Sequence, residues 1–228
     1  MHHTKMQKPK VKKMSRSSTR PDSTQRLLAI CGIIAPILYA IVVIILGLLR
    51  PGYDHIAQSM SELGEVGGPN AIIMNTAGFA LLGALMIAFA FGLHRGISEG
   101  KGLKIGPALV ALSGAALVMA GIFPCDPAGV DISMVGITHY VFVTISAFAM
   151  ILAPLALSPR LRRDRLWQSY VAYSLITVVV AGAISALFII TVYGFNVFEP
   201  WKGVLQRVSM VVPLLWMEVM AIRLLRLS

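Results

Sequence analysis

Charge is scarce in this chain. Only 13% of its 228 residues are Asp, Glu, Lys or Arg, about half the share of an ordinary soluble domain. That is too little polar surface to cover a water-soluble globule. Cysteine is scarcer still, with Cys31 and Cys125 alone. The two fall at opposite ends of the apolar segments described next, too far apart to bridge within one chain, and nothing in them calls for an oxidising compartment. Zinc sites use closely spaced His or Cys ligands. Here His55, Cys125, Asp126 and His139 are scattered and no His-x-x-x-His occurs. No metal and no cofactor is expected.

Hydrocarbon is abundant. Hydrophobic residues make up 57% of the chain and gather in six runs, 27–49, 71–93, 105–123, 135–157, 171–193 and 204–222. A helix of roughly 20 apolar residues crosses about 30 Å of hydrocarbon, and even the two shortest runs, 105–123 and 204–222, are 19 residues long. In lipid each backbone N–H and C=O needs a partner within the protein, which leaves helices or closed barrels. Barrel strands are shorter and alternate in polarity, whereas these runs are continuous. The expected fold is therefore all-α: a polytopic membrane protein whose residues 27–226 form a six-transmembrane-helix bundle, preceded by a basic disordered tail, 1–26. Short connections make successive helices antiparallel neighbours. The first run is too long for a signal-peptide core and has no small-residue cleavage site after it, so it is expected to stay.

The net charge of +10 is unevenly placed. Six spans put both termini on one side, and 17 of the 20 lysines and arginines fall there. The opposite side holds Asp54, Glu62, Glu65, Asp126, Asp131 and Glu199 and is net acidic. Lys and Arg collect on the cytoplasmic side of membrane proteins, so both termini are expected in the cytoplasm, with the protein in the cytoplasmic membrane. The basic tail reads as a topology determinant near anionic lipid, in preference to a nucleic-acid arm, and no nucleic-acid partner is expected. Tyr53, Tyr140, Tyr193 and Trp201 at one boundary, with Trp167 and Tyr170 at the other, form the expected aromatic belts.

Small residues mark close helix approach in lipid. Gly106, Ser113 or Gly114, and Gly121 recur at seven or eight residues. Gly182 and Ala186, with Ala181 and Ser185, give small-xxx-small spacing. Lining of a substrate path is the alternative use of such faces. Pro36, Pro154 and Pro213 lie inside spans, where a proline removes a helical hydrogen bond.

The polar segment "PGYDHIAQSMSELGEVGGPN", 51–70, is long for a connection in a bundle. Ile56, Met60 and Leu63 recur at four and three residues, the pattern of a short interfacial helix. Gly64 ends it and Asn70 stands where an N-cap for the second span belongs. Near the same side lie Asp126 in "GIFPCDP", His139 one turn into the fourth span, Arg207 one turn into the sixth, and Asn75 in the second. An ionisable group inside a span costs a few kcal/mol unless paired or facing water, so these groups are expected to meet in one cluster covered by Glu62.

Three readings of that cluster stay open. It is a structural network in which Arg207 pairs with Glu62 or Asp126 and His139 bonds a carboxylate or carbonyl. Or it is a pocket for a lipid headgroup or small polar solute. Or it is the site of a membrane-embedded hydrolase or transferase using His139 and Asp126. "DHIAQSMS" holds Asp, His and Ser, but a triad is defined by spatial roles, not by neighbours in sequence. Glu218 lies five residues before Arg223, a poor helical pairing, and is expected to find another basic partner.

The segments "SMSELGEVGGPNAIIMNTAGF", "GIFPCDP" followed by "THY", and "GVLQRVSMVVPLLWMEVMAIRLLR" resemble domain-of-unknown-function family 998, six-span prokaryotic integral membrane proteins. The resemblance covers the six spans without the tail. It implies the topology and a polar site, with Ser61, Glu62, Asn75, Asp126, His139 and Arg207 as the positions of interest, and no reaction. The expectation for function is a multi-pass membrane protein that binds or handles a small polar or lipid ligand at an outer-leaflet site, with membrane lipid around it.

Overall fold

A computed structural model of the chain describes residues 22–97, 104–191 and 199–228. The described residues form six long helices and no strand. They are α1 Ser23–Leu49, α2 Ala71–Gly96, α3 Ile105–Ile122, α4 Met134–Arg163, α5 Val171–Ile190 and α6 Lys202–Leu227. Each is long and apolar enough to cross a membrane. The chain is an all-α, multi-pass membrane protein.

Helix ends follow local capping rather than the limits of the apolar runs. Asp22 Oδ1 accepts from Thr24 N (3.1 Å) and Gln25 N (3.3 Å), which satisfies two orphan donors. α1 therefore starts inside the stretch read as tail. The rest of the tail, 1–21, lies outside the described residues, as does Tyr193. Arg95 at the end of α2 meets Asp22 Oδ2 at 2.8 Å, and Arg223 Nη2 donates to Leu166 O at 2.8 Å. These contacts define one end of the bundle, the terminal end. The segments 50–70, 124–133 and 199–203 define the other, the loop end.

Asn70 stands before α2 as expected, but not as a side-chain cap. It takes the left-handed conformation (φ 62°) with no side-chain cap bond, and its carbonyl accepts from Ile73 N (2.9 Å) and Met74 N (3.2 Å). α2 then widens into a π-helical segment, Met74–Ala80. Such segments are rare and frequent near functional sites. Asn75 and Phe79 of this segment are buried in the bundle.

Each helix packs against the next in sequence, and α6 closes back onto α1, so the helices form a ring. The small residues of α3 serve two neighbours. A Cβ on Gly114 would strike Gly83 O, and one on Gly121 would strike Asn75 O, both in α2. Gly106 lies against Leu157 of α4, and Ser113 Oγ donates to Ser146 O of α4 at 3.0 Å. One apparent stripe is thus two, each of heptad spacing. α5 corrects the other expectation: nothing lies within 4 Å of a Cβ on Gly182, and Ala186 is exposed. Only Ala181 and Ser185 of that motif turn inward. Trp167 also departs from its expected place in a belt. It is fully buried at the terminal end, beside Tyr170 at 5.9 Å between ring centroids, while Trp201 at the loop end is 55% exposed.

Candidate functional site

The segment 51–70 does not form an interfacial helix. It runs through turns into a 3-10 turn, Met60–Gly64, whose five residues are all buried. Met60 and Leu63 face the core as their spacing implies, but Ile56 is 48% exposed. The reason lies in the backbone carbonyls. A helix over these residues needs them for its own i to i+4 bonds. Instead, Arg207 Nη1 donates to His55 O (2.7 Å) and Gln58 O (2.9 Å), Val204 N donates to Ile56 O (3.0 Å), and Tyr53 Oη–H donates to Ser59 O (2.8 Å). α6 and Tyr53 have taken the carbonyls away.

Arg207 has no carboxylate partner among the described residues, which corrects the expected pairing with Glu62 or Asp126. Its Nη2 donates to Tyr53 Oη (2.7 Å) and to His55 Nδ1 (3.1 Å), and its Nη1 also reaches Gly203 O (2.9 Å). The guanidinium spreads its charge over carbonyl dipoles and two rings, with Tyr53's centroid 5.8 Å from Cζ. Burial first, then the Arg207 charge, hold His55 below the ordinary imidazole range. It is therefore neutral, as accepting a bond at Nδ1 requires. Burial raises the Tyr53 phenol above its usual range although Arg207 pulls it down, which keeps its proton available for Ser59 O.

Glu62 turns to the other side of the loop. Its Oε1 accepts from Ser59 N (2.9 Å) and lies 3.7 Å from Lys202 Nζ, and its Oε2 accepts from Gln58 Nε2 (3.0 Å). Arg50 closes the base of the loop by donating to Glu62 O and pairing with Glu65 at 2.5 Å. The sequence does not single out Arg50, Lys202, Gln58 and Gln206 as site residues. Lys and Gln next to an apolar run look like solvated flanks, and only the fold shows where they turn.

The 3-10 turn itself is held from four directions. Met60 N donates to Gln206 Oε1 (2.6 Å), Cys125 Sγ donates to Ser61 O (3.0 Å), Asn75 Nδ2 donates to Gly64 O (2.8 Å), and Tyr39 Oη lies 3.5 Å from Met60 Sδ. Asn75 Oδ1 is buried with no hydrogen-bond partner. Burial chiefly, then Glu65 and Glu62, push the Cys125 thiol up to about 12, so it stays a protonated donor.

His139 is fully buried in α4. Its Nδ1 lies 3.0 Å from Ala120 O and 2.8 Å from Phe123 O. Carbonyl oxygens only accept, so Nδ1 carries the proton and Nε2 carries the lone pair. That lone pair faces the Ser61 hydroxyl at 3.2 Å. Asp126 stands apart from His139: its oxygens accept from Ser133 N (2.7 Å) and Ser133 Oγ (2.8 Å) at the start of α4, where negative charge is favoured. His139 thus bonds backbone carbonyls, one of the two kinds of partner expected for it, and its other ring nitrogen meets Ser61 rather than Asp126.

Ser61, Glu62 and Asp126 border one cavity of about 430 Å³ inside the ring of helices. Lys202 and Gln206 border it at the same end, and Ser113 and Ser146, with Thr144, Ser185 and Ser209, add hydroxyls to a mainly apolar wall. Phe148 of α4 and Ile189 of α5 line it and are also exposed on the bundle's flank. Arg207 faces a separate, almost wholly apolar cleft between α1 and α6, together with His55 and Glu218. Glu218 has no ion-pair partner among the described residues, contrary to expectation. Among the described residues no three His, Cys, Asp or Glu side chains converge on a point that suits a metal.

The sequence positions thus divide. Ser61, Glu62 and Asp126 share the cavity, His139 backs Ser61, Asn75 anchors the turn, and Arg207 pins the loop from its far side. A family model described as protein of unknown function (DUF998) matches residues 33–223, most of the chain, and the chain belongs to that family. No curated protein and no solved structure matches it.

Proposed function

We propose that this member of the DUF998 family binds an amphipathic ligand, a lipid or a small molecule of similar polarity, in the cavity within its helix ring. The observation that carries the reading is the cavity's division by depth. Glu62, Asp126, Lys202 and Gln206 border its loop end, while apolar side chains such as Leu117, Val143 and Met210 line its depth. A site that is mostly apolar with a few convergent polar groups suits a ligand built the same way. Two carboxylates and one ammonium favour a head that donates, through hydroxyl or amine groups, over a phosphate. Arg207, the group best suited to an anion, faces away from this cavity. Phe148 and Ile189 mark a lateral route between α4 and α5 by which a lipid enters from the bilayer.

In the same proposal both termini lie in the cytoplasm and the loop end faces outward across the cytoplasmic membrane. The support is charge: 17 of the 20 basic residues belong to the terminal side, as the positive-inside rule requires. The ligand then comes from the outer leaflet.

Native mass spectrometry after purification in mild detergent tests the binding. The wild type should carry a bound lipid-sized mass that Val143→Trp, which fills the cavity wall, loses without loss of thermal stability. An unliganded wild type that gains no mass from any added membrane lipid contradicts the reading. A purely structural role for the loop end is favoured by one observation, the five contacts from Arg207 to loop, helix and ring atoms. That role concerns the face away from the cavity and coexists with binding.

A further inference from the structure

We infer that Ser61 is a nucleophile and His139 its general base, so that the cavity is the site of acyl transfer from an ester-bearing amphipathic substrate. The inference rests on the binding proposal above and adds a reaction to it. Three geometric facts converge. Ser61 borders the cavity, with His139 directly behind its hydroxyl, Nε2 to Oγ 3.2 Å. A nucleophile within hydrogen-bond reach of a base that is itself oriented by a third group is the signature of an activated hydroxyl.

The third group here is not a carboxylate. It is the pair of carbonyls Ala120 O and Phe123 O, at the last turn and C-cap of α3. Those carbonyls lack helical partners and carry the negative end of the helix dipole. They fix the Nδ1–H tautomer, aim the Nε2 lone pair at Ser61, and stabilise the imidazolium that forms when it takes a proton. This is the positioning work an aspartate performs in other serine enzymes. Ser61 also stands on a turn held by Cys125 at its own carbonyl and by Gln206 and Asn75 at its neighbours, and such rigidity keeps a reacting atom in place. Gln206 Oε1 is committed to Met60 N, so its amide nitrogen is the donor this side chain offers to the cavity.

The chemistry balances without an outside redox agent. Ser61 Oγ attacks the ester carbonyl while its proton passes to His139 Nε2. The C–O bond to the leaving alcohol breaks as His139 returns that proton to the alcohol oxygen. Water then attacks the Ser61 ester, giving its proton to His139, and the fatty acid leaves as Ser61 regains a proton. The net reaction is hydrolysis of one ester bond.

A long-chain alkyl fluorophosphonate is the test probe, with peptide mapping of the adduct on the full-length protein in detergent. The wild type should be modified on Ser61. Ser61→Ala should take up no label there, and His139→Asn, which keeps a side-chain donor for the carbonyls, should react at least about 100-fold more slowly. Ser158→Ala removes a buried hydroxyl that bonds Pro154 O and does not line the cavity, and it should label at the wild-type rate. Mapping on the wild type needs no variant to fold. A wild-type protein that retains bound lipid yet shows no adduct on Ser61 overturns the nucleophile and leaves the binding proposal standing. Adduct on Ser61 at an undiminished rate in folded His139→Asn overturns the base. Absence of both lipid and adduct overturns both readings.

Discussion

Arg207 Nη2 lies 2.7 Å from the Tyr53 hydroxyl, which in turn donates to Ser59 O at 2.8 Å. One charged side chain of α6 is thereby linked to the residue that opens the 3-10 turn bearing Ser61 and Glu62. The cavity's loop end depends on a guanidinium that never touches the cavity.

Arg207→Lys keeps the charge and loses the fork. An ammonium on a flexible stem cannot serve Tyr53, His55 O and Gln58 O together. We expect a loss of about 2 kcal/mol, the scale of one or two hydrogen bonds to a charged group, seen as a lower thermal midpoint in detergent. Limited proteolysis should also cut near Gln58 faster than in the wild type. Unchanged melting and unchanged cleavage would show that the loop is held by other means.

His55 gives the loop end a pH dependence. Its folded imidazole sits below the ordinary value of 6.5, through burial first and Arg207 second, with Asp54 opposing. A depressed histidine binds its proton more readily unfolded than folded. Its contribution is thus fully present above about pH 6.5 and is lost as pH falls through the lowered folded value. Thermal midpoints measured down a pH series from 8 should decline as this range is entered. His55→Gln retains an acceptor for Arg207 but does not titrate, so its decline should be shallower. An identical pH profile for the two proteins would refute the assignment.

Glycines of similar appearance in the sequence should behave differently. A Cβ on Gly83 meets Gly114 O across the α2–α3 contact, and Gly83→Ala should destabilise by about 1–3 kcal/mol through overpacking. Gly182 has open space around it, so Gly182→Ala should be neutral or stabilising by up to about 1 kcal/mol, the helix-propensity difference. Paired thermal melts distinguish the two.

That contrast shows where sequence reading stops. Continuous hydrocarbon from 27 to 49 is unmistakable, because length and polarity alone decide whether a segment crosses lipid. The residues from "GIFPCDP" to "THY" likewise place Asp126 and His139 at one end of neighbouring helices. Hydropathy, however, carries no azimuth in an all-apolar helix, so recurring small residues form a packed contact in α3 and an open flank at Gly182 and Ala186 of α5. Arg207 shows a second limit. Buried charge needs partners, and acids are visible in a sequence, but backbone carbonyls belong to every residue and give no signal. Its hold on His55 and Gln58 also removes the helix that the spacing of Ile56, Met60 and Leu63 suggests. Ser61 and His139 stand 78 residues apart, and only closure of the helix ring brings them together.

Cysteine accessibility tests the cavity most directly. In a Cys31→Ala background, Ser146→Cys places a thiol on the cavity wall, and Ser174→Cys places one in a fully buried position that does not line it. Cys125 stays silent, the residue being 1% exposed and burial chiefly pushing its thiol pKa up to about 12. A small maleimide should modify Ser146→Cys at least about tenfold faster than Ser174→Cys, and Val143→Trp should abolish that advantage. Equal, slow modification of both positions would mean that no solvent- or lipid-accessible space exists behind Ser61, and the account would be wrong.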